Sequence, residues 1–216
     1  MTQIHIATFT ADNRSAILAE LLKVQGLVNF EPQRAHSGKP FLRDNDGRQA
    51  GLAISHVRKT THPCSIMAVS RVAALGIDAE AWPNGGTDQK FLASIAAAED
   101  NNIIDKVLAV ARDPATLLWV LKEAALKASG EVMTDPRRIT VQLSTNGYIQ
   151  AAASASATAP LPQCILQIFE MYANATEQAI IVGVAVADIE GAKIGPNLDV
   201  VCDNPSVQWK CCDWLK

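Results

Sequence analysis

The chain has 216 residues, 49% apolar and 19% charged, a globular composition rather than a disordered one. Its 19 Lys and Arg against 22 Asp and Glu leave a net charge of −3, which excludes a nucleic-acid binder working through a global basic field. The longest clean apolar run, Ala179 to Ala187, is about half of what a membrane-spanning helix needs, and residues 1–15 lack the basic start and apolar stretch of a secretory signal, so the expectation is a cytoplasmic protein that engages no membrane.

Arg14 to Lys23 predicts a helix, with Ile17, Leu18, Leu21 and Leu22 on one stripe. Residues 31–50 are rich in Gly, Pro, Asp and Asn and predict a loop. Gly51 to His56 predicts a short strand, and Ile66 to Ile77 one strand, straight or kinked, before Pro83 to Gly86 break the chain. Phe91 to Ala111 is helical in composition, interrupted at Asn101-Asn102. The next helix is the best marked: Asp113 can cap it, Pro114 suits its first position, Thr116 to Ala128 are helix formers, and Gly130 ends it. Ile139 to Leu143 and Tyr148 to Ala153 flank Thr145-Asn146-Gly147, a strong hairpin turn signal. Cys164 to Tyr172 and Ala179 to Ala187 form a second hairpin-like pair, and the rest reads as a tail with turns at Gly195-Pro196 and Asn204-Pro205. The layout is α+β in two lobes, 1–74 and 75–195, followed by a tail at 196–216.

Five cysteines, an odd number without CxxC or Cys/His zinc spacing, predict reduced thiols without a role. Charge is unevenly spread. Residues 34–71 hold seven basic side chains (Arg34, Lys39, Arg43, Arg48, Arg58, Lys59, Arg71) against Asp44 and Asp46, a local +5 that leaves −8 for the remainder. Such a window on an acidic protein suits a phosphorylated small molecule or an acidic partner, and equally a solvated loop.

Three segments concentrate the unusual polar residues: Gly38-Lys39-Pro40 with Ser55-His56 at the end of the following strand, Gly76-Ile77-Asp78-Ala79-Glu80, and Trp119 to Lys127. Strand alternation puts the carboxylates of Asp78 and Glu80 on one face. Glu123 and Lys127, four apart, share a helix face. Two strand acids and one helix acid can form an oxygen-ligand site for Mg²⁺, which coordinates phosphates, and a nearby lysine stabilises charge on those phosphates. Taken singly, each pair also reads as solvated surface, and a Ser-His pair says little about a hydrolase triad.

In this order the segments resemble the 4′-phosphopantetheinyl transferase superfamily, in the two-lobed branch that activates peptide and polyketide synthases. That branch shows GKP, a strand ending in SH, GIDxE and WxxKExxxK. This chain has Lys39 within GKP, Ser55-His56, Asp78 and Glu80 within GIDAE, and Trp119, Lys122, Glu123 and Lys127 in the helix. The resemblance spans roughly residues 14–190 and implies two similar α+β lobes related by a pseudo-two-fold axis, meeting at a cleft in a monomer. It implies Mg²⁺ held by Asp78, Glu80 and Glu123. Coenzyme A, the phosphopantetheine donor, would be held at its nucleotide end by Lys39 and Ser55 and at its phosphates by His56 and Lys127. Glu99, Glu123 and Lys127 would be the catalytic residues, with Glu99 at the distance of a further glutamate proposed to activate the attacking hydroxyl. The partner would be an acyl, peptidyl or polyketide carrier protein, whose acidic surface suits the basic window. The stretch ahead of Ser55-His56 is shorter than in the two-lobed branch, leaving Arg14, Lys23 or Arg34 for the 3′-phosphate. Two further readings stay open: a silent coenzyme A or carrier-protein binding module, and a Mg²⁺-dependent phosphohydrolase.

Overall fold

The computed structural model describes residues 2–57, 64–85, 88–106, 111–131, 135–145, 148–155, 157, 161–172, 179–187, 198–202 and 208–211. Its architecture is mixed α+β, with two sheets and, among the described residues, four α-helices. No described helix is long and apolar enough to cross a membrane.

The first sheet begins with β1 (Thr2–Phe9), which the sequence reading left unassigned. After α1 (Arg14–Gln25) come β2 (Glu31–Arg34), β3 (Pro40–Arg43), β4 (Gln49–Val57) and β5 (Cys64–Ser70). The loop expected over 31–50 is therefore mostly a hairpin. Its turn does use loop chemistry, with Gly38 at φ +84°, but Glu31 to Arg34 pair with Pro40 to Arg43. All four residues of β2 are exposed, so no apolar alternation marks them as a strand.

The strand expected over Ile66 to Ile77 is two strands in different sheets. The chain bends at residues 71–73, and β6 (Leu75–Ala81) opens the second sheet. Apolar residues run on through the bend, which hides it from a periodicity reading. The helical stretch expected over 91–111 is likewise divided, into α2 (Gln89–Ile95), a 3-10 turn at Ala98–Asp100 and α3 (Asn101–Lys106), with 107–110 outside the described residues. Asp100 causes the division: its Oδ2 accepts the Ala97 N–H at 2.6 Å, offering the backbone an alternative to a continuing helix.

The next helix, α4 (Pro114–Ser129), has the ends expected of it. Asp113 Oδ2 accepts the Thr116 N–H at 3.2 Å, Pro114 opens the first turn, and Gly130 ends it at φ +81°. After it, β7 (Ile139–Leu143) and β8 (Ile149–Ala153) pair antiparallel, as do β9 (Cys164–Tyr172) and β10 (Ile180–Ala187). The turn residues Asn146-Gly147, Gly195-Pro196 and Asn204-Pro205 lie outside the described residues. Where a tail was expected, β11 (Leu198–Cys202) runs parallel to β1, and β12 (Gln208–Cys211) pairs with β9.

Strand order is β11-β1-β5-β4-β3-β2 in the first sheet and β6-β10-β9-β8-β7 in the second. Alternation along the strands builds three cores. On the outer face of the first sheet Phe9, Leu52, Met67 and Val69 pack with Leu21 and Leu22 of α1. Its inner face (Ile4, Ile6, Ala53, Ile66, Ala68) packs on the inner face of the second sheet (Leu75, Ile77, Phe169, Val182, Val184). The far face of the second sheet (Val141, Leu166, Ile168, Ile181, Ala185) is covered by Leu117, Leu121 and Ala125 of α4. The layers run helix, sheet, sheet, helix, and β6 lies at the edge of its sheet, beside β4 of the other.

Candidate active site

The strand β6 reads Leu-Gly-Ile-Asp-Ala-Glu-Ala, and its period of two divides the labour. Leu75, Ile77 and Ala79 enter the core between the sheets. Gly76, Asp78 and Glu80 lie on the face that α4 covers. A Cβ at Gly76 would come within 2.1 Å of the Ala124 carbonyl oxygen and 2.4 Å of the Ala128 nitrogen. Asp78 is paired across the ladder with Gly183, where a Cβ would meet Val120 Cγ1 at 2.8 Å. Two glycines thus let the Val120–Ala124–Ala128 stripe of α4 lie directly on the sheet. The adjacent stripe, Glu123 and Lys127, is carried to Asp78.

Asp78 is buried, 5% exposed, and its two oxygens differ. Oδ1 accepts from Lys127 Nζ at 2.5 Å and from Ser55 Oγ at 3.1 Å. Oδ2 is buried without a hydrogen-bond partner. A buried carboxylate oxygen left unpaired is costly, so a ligand for it is a chemical expectation of the site. Glu123 is half-buried, and its carboxyl is held above the usual carboxylate range by burial first, then by Asp78 and, more weakly, Glu80, with Lys127 opposing. Three neighbouring carboxylates fit a divalent cation in donor type and sign. Among the described residues no three His, Cys, Asp or Glu side chains stand in a ready-made metal cluster. The positive charge beside Asp78 is the Lys127 ammonium.

A cleft of about 370 Å³ opens beside this cluster. Glu123, Lys127 and Gly130 line it from the α4 side, and Lys39, Leu52 and Ile54 from the first sheet. Lys39 Nζ donates to the Ala128 carbonyl at 2.7 Å, one of the acceptors a helix C-terminus leaves open. Burial pulls its pKa down to about 8, with Cys164 opposing, while burial pushes the Cys164 thiol up to about 12.

The structure therefore brings Lys39, Glu123 and Lys127 to one cleft, with Asp78 buried behind Lys127, Ser55 bonded to Asp78, and Glu80 on the same face of β6. Two of the expected residues are placed elsewhere. His56 follows Ser55 on β4 and so faces the opposite side. It is exposed, with Nδ1 2.7 Å from Ser65 Oγ and its ring edge-on to Phe9 at 6.3 Å. Glu99 accepts the Ala155 N–H at 3.0 Å, and that bond holds its carboxyl below the usual range. Its electrostatic neighbour on α4 is Lys122, which is on the other flank of the helix from Glu123.

Sequence reasoning gave no role to two groups that shape the site. Gly183 interrupts an otherwise apolar strand, and a lone strand glycine is the signal of a close backbone approach. Lys122 and Asp100 form a fully buried ion pair at 2.6 Å. The ammonium also donates to the carbonyls of Ile95 at 2.7 Å and Pro136 at 3.1 Å, and Asp100 Oδ1 accepts the Val141 N–H at 2.7 Å. Every proton of Lys122 is used, so the first lysine of the helix motif fixes α4 to α2 and β7 rather than facing the cleft.

The profile of the 4′-phosphopantetheinyl transferase superfamily matches residues 74–182, just over half of the chain. The matched span starts at β6, takes in the whole of α4 and ends within β10, and so includes Asp78, Glu80, Glu99, Glu123 and Lys127. A search of curated proteins finds no match. With more than half of its length accounted for and the α+β architecture expected of the family, the chain belongs to the 4′-phosphopantetheinyl transferase superfamily.

Proposed function

We propose that this protein transfers the 4′-phosphopantetheine arm of coenzyme A to a serine of an acyl, peptidyl or polyketide carrier protein in a Mg²⁺-dependent reaction. The observation that carries the reading is Asp78: a buried carboxylate with one oxygen engaged by Lys127 and Ser55 and the other unpaired, beside a cleft walled by Glu123 and Lys127. Superfamily membership supports coenzyme A as donor and a carrier protein as acceptor.

In the transfer the serine oxygen bonds to the β-phosphorus of coenzyme A. The bond from that phosphorus to the bridging oxygen breaks, and adenosine 3′,5′-bisphosphate leaves with the bond's electron pair. The serine proton needs a carboxylate within hydrogen-bond reach. Of the two expected acceptors Glu123 has the place, since it lines the cleft. Glu99 is occupied by the Ala155 N–H. Lys127, at the cleft wall, donates to the departing phosphate, where fixed positive charge is most effective against charge that develops in the transition state. Lys39 adds a second cation on the facing wall, with a pKa of about 8. Asp78, Glu80 and Glu123 would hold Mg²⁺, which when bound supplies charge neutralisation and polarisation of the diphosphate.

The test is intact-mass analysis of several apo carrier proteins incubated with the protein, coenzyme A and Mg²⁺. A gain of one phosphopantetheine is expected with wild type, and none with Asp78→Ala or Glu123→Ala at unchanged circular dichroism. Lys127→Ala should slow the gain by two to three orders of magnitude, in the range of a lost charge-stabilising donor. Near wild-type gain with either acid variant refutes the site. Release of phosphopantetheine without a modified carrier makes the protein a phosphohydrolase.

A further inference from the structure

The geometry points to Ser55 as a positioning residue for Asp78, acting on the metal site rather than on coenzyme A. This rests on the metal-dependent transfer proposed above. Ser55 is 4% exposed and lies on the β4 face that also carries Ala53 and Val57, toward the second sheet. A serine hydroxyl has one proton to donate. That proton goes to Asp78 Oδ1 at 3.1 Å, while the oxygen accepts the Ala79 N–H at 3.2 Å, from the next residue on the same strand. To hold a phosphate or ribose oxygen of coenzyme A, Ser55 would have to give up Asp78 and come out of the core. The cleft passes Leu52, Ala53 and Ile54, and Ser55 is absent from its walls.

The arrangement has a clear consequence for Asp78. Ser55 is anchored twice to β6, once to backbone and once to the carboxylate, so it fixes the side-chain torsion of Asp78. With Oδ1 held by Ser55 and Lys127, the unpaired Oδ2 keeps one direction. Lys127 has a long, one-third exposed side chain, whereas Ser55 is short and buried. Of the two partners only Ser55 can keep the carboxylate oriented once a diphosphate draws Lys127 away. Groups that orient a ligating carboxylate in this way typically change metal affinity by about 10- to 100-fold when removed.

The experiment measures Mg²⁺ binding by titration calorimetry, without coenzyme A, for wild type, Ser55→Ala and Ser55→Thr. Coenzyme A binding is then measured in metal-free buffer for the same three proteins. Ser55→Ala should weaken Mg²⁺ at least tenfold and leave metal-free coenzyme A binding within twofold. Ser55→Thr, which keeps the hydroxyl, should recover most of the loss. In turnover, Ser55→Ala should raise the Mg²⁺ concentration for half-maximal rate while the KM for coenzyme A at saturating Mg²⁺ is unchanged. Ser55→Cys, close in size with a weak S–H donor, gives the same comparison with an intermediate loss should the alanine variant melt below the assay temperature. The opposite pattern, weakened coenzyme A with Mg²⁺ affinity intact, overturns the positioning role and leaves the transferase reading standing. A wild type that binds no Mg²⁺ but modifies a carrier overturns the positioning role alone, and one that does neither overturns both.

Discussion

Lys122→Met removes a buried positive charge while keeping a side chain of similar length, so the loss is electrostatic rather than a cavity. In the wild type the ammonium has three acceptors: Asp100 Oδ2 and the carbonyls of Ile95 and Pro136. The variant strands a carboxylate that is 0% exposed, and it deprives two carbonyls of their donor. Breaking a buried pair from one side costs about 3–5 kcal/mol. Asp100 keeps the N–H groups of Ala97 and Val141, which places the cost near the lower end, about 3 kcal/mol. For a chain of this length that lowers Tm by roughly 6–12 °C. Urea unfolding followed by far-ultraviolet circular dichroism measures the loss, and a cycle with Asp100→Asn isolates the pair. The asparagine must turn its NH₂ toward Ala97 N–H or Val141 N–H, so it is destabilising too, and the double variant should cost less than the sum. The folded fraction of Lys122→Met should still modify carrier protein. An unchanged urea midpoint together with lost transfer refutes the reasoning, because it places Lys122 on the substrate.

Gly76→Ala puts a methyl group into backbone atoms of α4 that no rotamer change can move. Overpacking of this kind costs about 1–3 kcal/mol. Lifting Glu123 and Lys127 away from Asp78 should lower turnover about a hundredfold; a variant with wild-type kcat would show that the helix does not set the site. Glu123→Gln tests the crowding of acids. The folded-state pKa of Glu123 is raised, so its contribution to stability is present below the unfolded pKa and is lost as pH rises through the folded one. In metal-free buffer the glutamine variant should match wild type near pH 4 and exceed it at pH 7 in urea midpoint, and lower stability at pH 7 would contradict the assigned cause.

The parts of the fold that could be read from sequence are those with local causes. The ends of α4 follow from Asp113, Pro114 and Gly130, each acting within one turn. The pairing of β9 with β10 follows from two long apolar runs joined by a short connection. The bend between β5 and β6 was hidden because residues on both sides enter the same inter-sheet core, so the apolar pattern never breaks. The strands β2 and β11 take their partners from elsewhere and carry little signal of their own. At the site, the period of β6 puts Asp78 and Glu80 on one face, the turn of α4 puts Glu123 and Lys127 on one face, and Lys127 meets Asp78. Ser55 and His56, which the resemblance names together, are neighbours in sequence and opposites across the strand. The distance of Glu99 along the chain does not register that the Ala155 N–H already holds it.

The pairing of β1 with β11 joins Thr2 to Leu198 and Ile6 to Cys202, almost the full span of the chain. A polypeptide emerging amino end first exposes one border of β1 long before its neighbour is made. Such borders are templates for unwanted pairing with other molecules, and contacts so distant in sequence form slowly. The newborn protein therefore passes through a stage in which its first sheet is complete except for one rim. Its yield in a cell should depend on how quickly β11 follows β1 out of the ribosome.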